Sequence, residues 1–126
     1  MTGRVRYAFL GVALTAAAPA TLLSQIAPGL WEFSGPRNAP VRRVCLREPE
    51  VLARVEHQRR NCTQSIVRND SITAIVDYTC PGAGFGNSKI TMLTPRSMRI
   101  ETQGISGEAP FAYVVQARRI GPCPAH

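Results

Sequence analysis

The stretch "CTQSIVRNDSITAIVDYTC", residues 62–80, begins and ends on cysteine and alternates in polarity between them. Cys62, Gln64 and Ile66 fall on one face of its first arm. Ile72, Ala74, Val76, Tyr78 and Cys80 fall on the same face of the second. The other face holds Thr63, Ser65 and Val67, then Ser71, Thr73, Ile75, Asp77 and Thr79. One side is mainly apolar and the other mainly polar, the pattern of a half-buried antiparallel hairpin. The turn falls at "RNDS", where Asn69 and Asp70 tolerate left-handed backbone angles. A two-residue loop at Asn69-Asp70 sets the apolar arm against Asp77 and Thr73, so that register is rejected. Pairing Ile66 with Val76 keeps the faces matched and puts Cys62 opposite Cys80. Opposed Cβ atoms are about 4.5–5.5 Å apart, near the outer edge of disulfide reach. The register therefore favours Cys62–Cys80, leaving Cys45–Cys123. The competing pairing is Cys45–Cys62 with Cys80–Cys123.

Working outward, the N-terminus reads as a leader. "MTGRVR" carries Arg4 and Arg6 and no acid; "YAFLGVALTAAA" is apolar; "APA" at 18–20 has the small-residue spacing of a signal-peptidase site. The apolar run is shorter than the roughly 20 residues that span a bilayer, so an uncleaved anchor is the weaker reading. Residues 1–20 are expected to be a cleaved signal peptide and 21–126 a single small domain with no transmembrane segment. In an exported chain, four cysteines point to disulfides. They include no C-x-x-C pair, so a zinc knuckle or thioredoxin-like motif has no basis.

Most of the remainder reads as strands. "GLWEFSG" (29–35) alternates Trp31 and Phe33 against Glu32 and Ser34. "VRRVCL" (41–46) is a short strand exposing Arg42 and Arg43. "PEVLARVEHQRR" (49–60) breaks the alternation: Pro49 suits a first helical turn, and Val51, Leu52 and Val55 form a narrow apolar stripe. Glu50–Arg54 and Glu56–Arg60 are i,i+4 pairs with the acid first. This predicts one short amphipathic helix packed on a sheet. "SKITMLT" and "SMRIETQG" meet around Pro95; a three-residue loop there matches Met92 with Ile100 and turns Lys89, Thr91, Arg99 and Glu101 outward. "FAYVVQARRI" (111–120) is apolar on both faces in its first half, which suits a central or closing strand. The expected fold is mainly β: an antiparallel meander of about seven strands, curved or closed as a small barrel, with the helix between strands two and three. If the last strand returns beside the second, Cys123 reaches Cys45. A bond there closes a long loop and contributes on the order of 4 kcal/mol in the chain-entropy model.

"PGLWEF" near the start of the mature chain, "VCL" before a short helix, a cysteine pair bracketing a hairpin and a terminal "RRIGPC" together resemble the bacterial exported family known as domain of unknown function 3617. The similarity covers most of residues 28–123. It implies the periplasm of a Gram-negative bacterium and brings no reaction, ligand or catalytic residue with it. The segment between Gly35 and Val41 looks shorter than in many members, which carry a Met-, Pro- and Gly-rich stretch there.

Several chemical candidates remain. "PGAGFGNSK" (81–89) offers glycines and Lys89, but a phosphate loop needs glycine directly before the lysine, and here Ser88 intervenes. The stretch reads as a hairpin loop, with Phe85 either folded over the end of the core or free to touch a ligand. His57 is expected to face solvent from the helix, and neither it nor His126 has a spaced partner for a metal. No G-x-S-x-G is present. Asp77 and Glu101 sit on outer faces of separate hairpins. Trp31, the single tryptophan, is a core anchor or lines a barrel mouth. Without Arg4 and Arg6, 13 Lys and Arg remain against 8 acids, a net charge of +5. Arg42, Arg43, Arg47, Arg54, Arg59 and Arg60 cluster around the helix and form a candidate anionic-surface patch; the bland alternative is a merely solvated face. No nucleic-acid module is present. No cofactor is expected. Two functions follow as expectations, both non-enzymatic. One is a binding module for a small apolar ligand or envelope lipid within the curved sheet. The other is an interaction module docking its arginine patch on an acidic envelope partner, with no internal pocket.

Overall fold

The computed structural model describes residues 2–13, 20–58 and 61–125. Seven strands form one antiparallel sheet: β1 (Gly29–Ser34), β2 (Arg42–Leu46), β3 (Thr63–Asn69), β4 (Thr73–Cys80), β5 (Gly84–Thr94), β6 (Ser97–Ser106) and β7 (Ala109–Gly121). Their spatial order is β2-β1-β7-β6-β5-β4-β3. The sheet is therefore a meander that stays open, with β2 and β3 as its two edges; it does not close into a barrel. The last strand returns beside the first, not the second. Glu32 pairs with Arg118 on one side and Arg43 on the other.

Alternation makes the sheet two-sided. Trp31, Phe33, Val76, Ile90, Met98, Ile100, Val115 and Ala117 are buried on one face. Leu46 from β2 and Leu52, Ala53 and Val55 from the β2–β3 connection pack on them. That connection is a 3-10 helix (Pro49–His57), not the α-helix its spacing suggests, and Arg54 kinks it with a non-helical φ of −117° and ψ of 43°. The predicted helix end and Arg59 and Arg60 lie outside the described residues. A second piece, α1 (Leu22–Gln25), closes the same face with Leu22, Leu23 and Ile26. It is held to the β3–β4 turn: Leu22 N–H donates to the Asp70 carbonyl, Leu23 N–H to Asn69 Oδ1, and Gln25 Nε2 to the Ser71 carbonyl. Residues 2–13 lie exposed and carry no helix or strand; part of the expected leader, 14–19, lies outside the described residues. Among the described residues, no helix is long and apolar enough to cross a membrane.

The opening hairpin pairs Ile66 with Val76 and Thr63 with Thr79. A bulge follows at Val67, so the turn is reached one residue out of phase. Asp70 Oδ1 accepts the Ile72 and Thr73 N–H groups, closing that turn. The β5–β6 register differs from expectation: Met92 meets Met98 and Ile90 meets Ile100. The turn is tighter, over Pro95-Arg96, with Thr94 Oγ1 accepting the Arg96 N–H. A two-residue shift preserves side-chain faces, so the predicted outward set is unchanged.

Cys62 and Cys80 are at disulfide distance, 2.03 Å between sulfurs, as are Cys45 and Cys123 at 1.95 Å. The second pair does not rely on β7 adjoining β2. Leu30 pairs with Cys45 and with Gly121, so the chain beyond Gly121 crosses the start of β1 to meet Cys45. Gly29 makes that crossing possible: its φ is +148°, and a side chain there would strike Arg119 and the Gly121 carbonyl.

Candidate functional site

Arginines in and beside β2 form one charged surface. Among the described residues, β2 is an edge strand with β1 on one side and no strand on the other. Arg42, Arg43 and Arg47 are exposed along it, and Arg54 is half-buried on the neighbouring 3-10 helix. Arg43 Nε lies 3.4 Å from Glu32 Oε2, and Arg118 reaches the other oxygen at 3.5 Å. One carboxylate thus serves two arginines, and exposed pairs of this kind hold about 1 kcal/mol or less. With Arg118 included, five arginines face Glu32, Glu48, Glu50 and Glu56 here, an excess of one positive charge.

Between β2 and the 3-10 helix run two adjoining depressions of about 500 and 490 Å³. Arg43, Val44 and Gln58 border both. Val55 floors the first and Val51 the second, while Arg42 and Arg47 stand at opposite ends. The groove brings Arg42, Arg43 and Arg47 together with the acids Glu48 and Glu56 around the apolar side chains of Val44, Val51 and Val55.

A polar cluster lies under the far end of the helix. His57 does not face solvent; it is 4% exposed. Nδ1 lies 2.9 Å from the Tyr78 hydroxyl and Nε2 3.1 Å from the Ala83 carbonyl. Both ring nitrogens thus have a hydrogen-bond partner inside the fold. Gly86 opens the space for this: a Cβ there would overlap the Tyr78 ring. Burial pushes the Tyr78 phenol up to about 12. Ser88 Oγ donates to the Ala53 carbonyl at 2.6 Å and lies 2.8 Å from Thr102 Oγ1, pinning the helix to β5 and β6. Nearer the rim, the Tyr113 hydroxyl donates to Glu56 Oε2; burial and then that bond hold its pKa well above the ordinary phenol value.

Trp31 is 0% exposed and lines no opening. It lies within the filled core, and its Nε1 donates to the Ala27 carbonyl at 2.9 Å. Phe85 belongs to β5, not to a loop, and points away from the core at 53% exposure. It borders a shallow depression of about 550 Å³, with Ile105, Ala112, Asn87 and Gln103 on the uncovered face. Asp77 and Glu101 do not pair: Asp77 accepts from Asn87 Nδ2, and Glu101 lies 3.0 Å from Arg99. Among the described residues, no three His, Cys, Asp or Glu side chains are grouped to hold a metal. Sequence reasoning missed the His57–Tyr78 contact and the β2 groove. The only available signal was that an edge strand and a helix flank the same arginines.

Neither a curated protein nor a solved structure matches the chain. A family model does, over residues 26–123, a span that takes in all seven strands and both cysteine pairs. The chain belongs to the family described as Protein of unknown function (DUF3617).

Proposed function

We propose that this protein is a non-enzymatic interaction module of an oxidising, exported compartment, the periplasm, which docks its β2 arginine edge on an acidic envelope partner. The observation that carries this reading is the placement of exposed Arg42 and Arg43 on an edge strand, with exposed Arg47 just after it, beside a filled core. Trp31, Phe33, Met98 and Ile100 occupy the space in which an apolar ligand would otherwise lie within the sheet. Two cysteine pairs at disulfide distance support the oxidising compartment. So does the onset of packing at Leu22, just after the expected leader. A basic surface of this kind speeds encounter with anionic partners and weakens with salt.

The test is binding of the oxidised protein to fluorescent polyglutamate across a salt series. Affinity should fall by about tenfold in the variant R42Q/R43Q/R47Q and fall steeply with salt in the parent. Equal affinity in parent and variant overturns the reading. A second reading, an apolar ligand or lipid chain on the uncovered face, is favoured by the exposed Phe85 beside Ile105 and Ala112. Phe85→Ser abolishes binding of a fatty-acid probe if that reading holds.

A further inference from the structure

We infer that the β2 groove takes an extended acidic peptide segment as an eighth strand. This rests on the arginine-edge reading above and narrows it to one kind of partner. Among the described residues β2 pairs with β1 only, so the N–H and C=O groups of alternate residues point away from the sheet. A free edge of this kind is a template for a strand from another chain.

The groove fits such a segment chemically. Side chains of an added strand alternate between the two faces. Those on the core side meet Val44, Val51 and Val55, the apolar floor. Those on the other face meet Arg43 and Arg47, while Arg42, opposite the buried Phe33, stands at one end of the Val44 face. Five residues of β2 span about 16 Å, so the segment needs five to seven residues, acidic and aliphatic in alternation.

The opposite edge lacks these features. Along Thr63–Val67 there is no cation, Arg68 is already paired with Asp70 at 2.6 Å, and the Val67 bulge interrupts the ladder. A membrane surface would use the same arginines but would leave the concave floor and the edge amides unfilled.

The probe is an acetylated, amidated seven-residue peptide of alternating glutamate and valine. Two N-methylated forms accompany it, each blocking the amides on one edge of the peptide. The parent peptide should bind, and only one methylated form should weaken, by about tenfold or more, because an added strand uses one edge. Amide exchange across Arg42–Leu46 should slow on binding. The variant R42Q/R43Q/R47Q should lose binding while keeping its melting temperature, since all three side chains are exposed.

If both methylated forms bind like the parent, or β2 exchange is unchanged, strand addition is wrong; arginine dependence would then still uphold the broader docking reading. Binding of phosphatidylglycerol vesicles through the three arginines, with no peptide binding, overturns the inference in favour of a lipid surface. Peptide binding indifferent to all three arginines overturns both readings together.

Discussion

Tyr78 and His57 show how one buried pair sets a chemical limit on this protein. The phenol is raised to about 12 from an ordinary 10.0, first by burial. A raised phenol keeps its proton in the folded state after the unfolded chain has lost it. Stability from this group is complete below pH 10 and is lost as pH rises towards 12. Urea midpoints measured at pH 9 and pH 11.5 should fall across that window. In Tyr78→Phe the starting stability should be lower, because His57 Nδ1 loses its partner, and the contribution of this residue to the alkaline slope should vanish. Alternation along the hairpin placed Tyr78 on the core face correctly. It could not place His57, because the connection that carries it is a 3-10 helix kinked at Arg54, a backbone event with no mark in the apolar spacing. Trp31 likewise read as either anchor or mouth until the sheet was seen to stay open.

The elements divide into those fixed by pattern and those fixed by docking. Strands β3 to β7 were legible because period-two alternation survives even a wrong loop length: the Met92 register moved by two residues and every face stayed in place. The α1 piece was not legible. Four residues cannot form a stable helix alone, so α1 exists only because Leu22, Leu23 and Ile26 meet the sheet and the 69–71 turn captures its polar groups. Leu22→Ala should accordingly cost about 2–5 kcal/mol, the range for a fully buried leucine. Chemical denaturation measures it directly. An effect below about 0.5 kcal/mol would mean that α1 is not part of the folded unit. The β2 groove was illegible for a related reason: it lies between two elements whose separation no single-chain periodicity encodes, although the arginines at its rim were visible from the start.

For the whole molecule, the two cysteine pairs contribute unequally. Cys45 and Cys123 are 78 residues apart, Cys62 and Cys80 only 18. The chain-entropy model assigns about 4.5 and about 3 kcal/mol to loops of these lengths. Replacing Cys45 and Cys123 by serine should therefore lower stability more than replacing Cys62 and Cys80, in thermal melts of each double variant; the reverse order would contradict the loop-length argument. The overall class and the number of strands were legible, whereas closure was not. Whether seven strands curl into a barrel depends on twist and on what covers the edges, and here the helical pieces cap one face and leave both edges apart.

The neighbour relation between β1 and β7 carries one more implication, for the order of events during biosynthesis. Strands β3 to β7 are joined by hairpins and can zip up successively as the polypeptide is delivered. The β1–β2 hairpin has nowhere to dock until the final strand has emerged, because β7 is its sole route into the sheet. Maturation thus waits on the thirteen residues of β7. A nascent chain stalled just short of that strand would carry its tryptophan unsheltered and its basic rim adrift, which makes β7 the checkpoint for everything the β1–β2 hairpin is built to present.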